Sequence, residues 1–114
     1  MAIPPSTVRN LQLWKKHCRK VRALAQRIIE NKVGIIEGSR QMLVYEQWLH
    51  AWEETDFGVF RAICSESNHL PIGKVREHWS LSALKKKDKE TARIEDHYRD
   101  WIIEASKQIQ KKYL

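Results

Sequence analysis

The sequence predicts an all-α protein: a helical bundle of three long helices plus one or two short ones, forming a single domain over residues 1–114. Apolar residues recur at spacings of three and four through much of the chain, the periodicity of helices with one buried face. Only four Gly and three Pro interrupt 114 residues, which leaves room for long helices. No stretch of convincing length alternates apolar and polar residues as a half-buried strand does. A chain of this size buries roughly two thirds of its unfolded surface around one core, so it needs no metal or disulfide staple.

Helix 1 is expected to begin near Val8. Pro4-Pro5 forbids an earlier start, and Ser6 or Thr7 supplies a side-chain oxygen for the first free N–H groups. Leu11, Trp14, Cys18, Val21, Ala25 and Ile28 form its apolar stripe. Asn31 and Gly34 tolerate the left-handed backbone that ends helices, so they mark the stop. Helix 2 is expected from Val33 to Glu53, its pattern formed by Ile35, Ile36, Ser39, Met42, Leu43, Leu49 and Trp52. Gly38 and Ser39 admit a close neighbour, and Glu37 and Arg40 share a face at i,i+3.

Thr55 or Asp56 caps a short third helix in which Phe57, Phe60, Ile63 and Cys64 recur at helical spacing. A polar loop, Ser65–His69, follows. Pro71 is placed to open another turn of helix to Trp79. Ser80 or Ser82 caps the last helix, expected to reach Lys112. Its stripe comprises Leu81, Leu84, Tyr98, Ile102, Ala105 and Ile109, and the same register passes through Asp88, Thr91 and Glu95. Carboxylates on a buried stripe need cationic or hydrogen-bonding partners. Glu37, Arg40, Glu66, His69, Arg76, His78, Asp88 and Glu95 are therefore expected to converge as one polar network tying the loop to the two long helices. Removing Arg76 from such a network would lower stability sharply.

Charge is distributed unevenly. Residues 1–29 hold seven basic groups and no acid, while the remainder carries fourteen of each, so the net +7 belongs to helix 1. At 100° per residue Arg9, Lys15, Lys16, Arg19, Lys20, Arg22 and Arg27 fall on an arc of roughly 160° opposite the apolar stripe. A one-sided positive face fits a protein partner with an acidic surface, and phosphate backbones as an alternative. A solvated face is the ordinary fate of such residues.

Catalysis and metal chemistry find little support. Glu66 and His69 have the Glu-x-x-His spacing of di-iron bundles, but no second copy accompanies them. No Gly-rich turn exposes a nucleophile, and no phosphate loop or zinc-type Cys/His spacing is present. His50 with Glu46, Glu53 and Glu54 reads as a solvated helix end. Cys18 and Cys64 read as small buried thiols. The expectation is a non-enzymatic chain with no cofactor. MAIPPSTVRN lacks the apolar core of a signal peptide and no run nears the roughly 18 apolar residues of a membrane span, so a cytoplasmic location is expected.

Glu37-Gly38-Ser39-Arg40, the run from Ser65 to Trp79 (SESNHLPIGKVREHW), and Ala83-Leu84 through Asp88 to Glu95 resemble a family of small proteobacterial helical proteins known as a domain of unknown function. The likeness spans roughly residues 20–105 and leaves out helix 1 before about Val21. The resemblance implies a helical fold and a cytoplasmic bacterial origin, and brings no activity, cofactor or catalytic residue. The function expected from these features is a small bacterial protein-binding module, such as an immunity or adaptor protein that neutralises or positions its partner. The alternative is a nucleic-acid-binding protein acting through residues 9–27.

Overall fold

In a computed structural model, which describes residues 2–114, Asn10 rather than Ser6 or Thr7 caps the first helix. Its Oδ1 accepts the Leu13 N–H at 3.0 Å, and α1 (Leu11–Ile29) begins one turn later than the sequence predicts. The helix buries Trp14, Cys18, Val21, Leu24, Ala25 and Ile28. Leu11, counted in the apolar stripe, is exposed.

Both α1 and α2 (Ile35–Trp48) end in the same way. Asn31 and His50 adopt left-handed backbone, with φ of 58° and 55°. The N–H groups of Lys32 and Ala51 reach back to the carbonyls of Arg27 and Glu46. These are Schellman stops, which satisfy carbonyls the helix would otherwise strand. The second stop ends α2 five residues before the predicted Glu53, so Trp52 lies outside the helix and is half exposed.

The 3-10 turn Thr55–Phe57 leads into α3 (Gly58–Ser67). Ser65–Ser67, expected as loop, is the last turn of that helix. The segment predicted as helix from Pro71 to Trp79 forms a 3-10 turn over Gly73–His78. Ser80 Oγ accepts the Ala83 N–H at 3.2 Å and starts α4 (Leu81–Lys112). The all-α class stands as predicted, built from four α-helices and two 3-10 turns with no strand among the described residues.

Trp14 meets Tyr113 edge-on at 6.4 Å, and Gln110 reaches the Arg22 carbonyl and Gln26, so α1 runs antiparallel to α4. Gly38 is the point of closest approach between α1 and α2. A Cβ there would lie 2.7 Å from Ile28 Cγ1 and 3.2 Å from Val33 Cγ1. Phe57, Phe60, Ile63, Met42, Leu49 and Ile102 fill the centre between α2, α3 and α4.

At 1.5 Å per residue the 32-residue α4 matches the molecule's 48 Å long axis. Its buried residues begin at Ile94, and Leu81 is 86% exposed. The apolar register read from Leu81 and Leu84 therefore runs past the end of the bundle, where no neighbouring helix remains to cover it.

Candidate functional site

The residues expected to form one polar network are spread over separate contacts. Arg76 and Asp88 form a two-pronged pair at 2.7 and 3.0 Å, and Arg76 also donates to the Pro71 carbonyl. Pairing with Arg76 holds the Asp88 carboxyl below its ordinary range. His69 Nε2 lies 2.7 Å from Glu90 Oε1. These two contacts brace the 3-10 turn against the projecting half of α4. They sit at the surface, so the sharp stability loss expected of Arg76 in a buried network does not apply.

Arg40 donates to the carbonyls of Ser67 and Leu70 at 2.6 and 3.3 Å, closing the end of α3. Glu95 Oε2 accepts the Ile36 N–H at 3.0 Å and so caps α2 from α4. Glu66 accepts from the Tyr98 hydroxyl at 2.9 Å. Glu66 and His69 thus engage different partners. Glu37 and His78 join none of these contacts and are exposed. The result is a series of clamps between elements rather than a shared centre.

A buried carboxylate lies elsewhere. Glu46 is 4% exposed and pairs with Arg61 of α3. Burial pushes its carboxyl up, against the pull of the guanidinium. The sequence reading had placed Glu46 at a solvated helix end. Its spacing from Ile35, Ser39, Met42 and Leu49 puts it on the buried stripe of α2, and that periodicity was the signal to follow.

All seven cations of residues 9–27 lack an ion-pair partner among the described residues. Six are exposed and Arg22 is half-buried. The apolar face of α1 is largely spent inside the bundle, and this arc faces outward.

Beside the arc lies a patch that the sequence reading missed. The His17 ring packs 4.9 Å from Trp48, and Tyr45 meets Trp48 edge-on at 5.5 Å. Trp52 stacks 4.7 Å from His50 and donates to Gln47. Leu13, Val44, Trp48 and Trp52 keep 44–51% of their surface in water. A cavity of about 230 Å3, lined by Leu13, His17, Trp48, His50 and Arg9 among others, joins the α1 side to the α2 side. Burial and the neighbouring Lys20 and Lys16 hold the His17 imidazole below its ordinary range. His50, in its left-handed conformation, is fastened by its Nδ1 2.8 Å from Thr7 Oγ1. Strained backbone of this kind persists where surroundings over-determine it.

Compared with family models, residues 9–109 match the one described as Protein of unknown function (DUF2489). The chain belongs to this family. The match extends through α1 from Arg9, so the DUF2489 domain takes in the basic arc that the resemblance had left outside it. No curated protein and no solved structure matches the chain. Among the described residues no helix is long and apolar enough to cross a membrane.

Proposed function

We propose that this DUF2489 protein is a small bacterial protein-binding module of the immunity or adaptor kind, acting in the cytoplasm without catalysing a reaction. Its docking surface is the aromatic patch of Leu13, Tyr45, Trp48 and Trp52 with the cations beside it, and its partner carries an acidic surface. The observation that carries this reading is the adjacency of the exposed Trp48 and Trp52 rings, with Tyr45 half-buried beside them, to unpaired Arg and Lys. Solvated lysines need no aromatic neighbours. Trp, Tyr and Arg are the residue types that dominate binding energy where proteins meet. Rings supply buried area, and cations of one sign orient and accelerate the encounter.

Nucleic-acid binding through residues 9–27 is the second reading. It is favoured by the seven unpaired cations of residues 9–27, six of them on α1, and predicts affinity that falls steeply with salt. A pull-down of the tagged protein from lysate of its own bacterium, with and without nuclease, separates the two. The protein-binding reading expects a discrete acidic protein that survives nuclease and is lost with Trp48→Ala. Recovery of nucleic acid, lost when Lys15, Lys16, Arg19 and Lys20 become Gln while Trp48→Ala changes nothing, would overturn it in favour of the second.

A further inference from the structure

On the other flank of α1, against the end of α4, lies a cavity of about 220 Å3. Trp14, Cys18 and Tyr113 form its apolar wall, and Lys15, Arg19 and Arg22 line it with charge. The Trp14 indole is fixed by its donation to the Leu49 carbonyl at 3.1 Å, and it meets the Tyr113 ring at 64°. Among the described residues none of the three cations makes an ion pair, and the Nε–H of Arg22 is buried with no acceptor. Buried donors normally have partners, so an unmet one beside an empty apolar space calls for an acceptor.

We infer that this cavity binds a small organic anion, a carboxylate or phosphate carried on a flat apolar body, with the charged group on Arg22 and the body against the wall that Trp14 and Tyr113 form together. Guanidinium groups suit both headgroups because their N–H pairs match the spacing of two oxygens. The volume falls below the roughly 300 Å3 at which drug-sized pockets begin, so the body is about one ring in size. Cys18 contributes only apolar surface. Its thiol is buried and too weakly acidic to act as a nucleophile. The site does not rest on the protein-binding reading, since the aromatic patch occupies the opposite flank of the same helix.

The test is titration of the full chain with benzoate and with phenyl phosphate, followed by calorimetry and by amide and indole NMR shifts. Benzylamine and inorganic phosphate serve as controls. The expected result is saturable binding of benzoate or phenyl phosphate, with shifts centred on Trp14, Cys18 and Tyr113. Benzylamine should leave the spectrum unchanged and inorganic phosphate should bind more weakly. The tighter of the two anions identifies the headgroup. Arg22→Gln should weaken binding tenfold or more, about the loss of one hydrogen bond to a charged group. Arg19→Gln, at an exposed position that tolerates substitution, should weaken it less. Absence of saturation up to about 10 mM, an affinity too weak to reflect a formed site, would overturn the inference. Equal binding of benzylamine, or affinity unchanged in both variants, would overturn it as well.

Discussion

Gly38→Ala tests how α1 is seated on α2, and hence what holds the two sides of the aromatic patch together. The new Cβ would stand 2.7 and 3.0 Å from Ile28 Cγ1 and Cδ1 and 3.2 Å from Val33 Cγ1. Ile28 is fully buried, so any shift it makes displaces core neighbours. Overpacking of this kind costs about 1–3 kcal/mol, and three carbons at once place it near the top of that range. Alanine regains about 1 kcal/mol of helix propensity over glycine. A net loss of about 2 kcal/mol remains. With an unfolding entropy of about 2.1 cal/mol/K per residue, that lowers Tm by about 8 °C.

The decisive arm is the same substitution in an Ile28→Ala background. That change removes Cγ1 and Cδ1, the two closest atoms, at its own cost of about 2–5 kcal/mol. Gly38→Ala then fills vacated space and keeps its propensity gain, so it is expected to stabilise by about 1 kcal/mol. A double-mutant cycle by chemical denaturation reads the coupling directly, expected at about 3 kcal/mol. Equal losses in the two backgrounds would refute the steric argument, and a gain in the wild-type background would do so at once.

The Glu46–Arg61 pair is expected to respond asymmetrically: Arg61→Ala strands a buried carboxylate and should cost about 2–3 kcal/mol, whereas Glu46→Gln leaves a half-exposed guanidinium in water and should cost far less by denaturant unfolding. Comparable losses would mean that the burial of Glu46 is not what matters. His17 predicts a pH effect through its lowered pKa: the unfolded chain takes up its proton first, so stability is lost as pH falls from about 6.5 toward the folded-state value. His17→Gln should therefore improve Tm relative to wild type more at pH 5.5 than at pH 7.5, a difference read by thermal unfolding across about two pH units. Glu46 works in the opposite sense, because its raised pKa makes the folded state the better proton acceptor just above 4.5, so a Glu46→Gln control separates the two.

Local chemistry alone settled that the chain is helical and where some of its helices end. Spacing of three and four fixed the faces of α1 and of the C-terminal half of α4, Ser80 fixed where α4 starts, and Gly38 announced a close approach. The basic arc was legible for the same reason: the side chains of one helix keep their angular order whatever surrounds it. Periodicity says which residues share a face but not whether a neighbour reaches that far. So Leu81 and Leu84 read as core although the bundle ends before them, and Glu46 read as surface although α3 lies over it. Of the polar residues from Glu37 to Glu95, six find partners and Glu37 and His78 do not, because a sequence does not say which partner is nearest. Docking of four helices divided them into separate clamps. The aromatic patch and the anion cavity are likewise products of tertiary structure. Each joins residues of α1 to residues at least 25 positions away, and only the packing of the helices gives those residues a common surface.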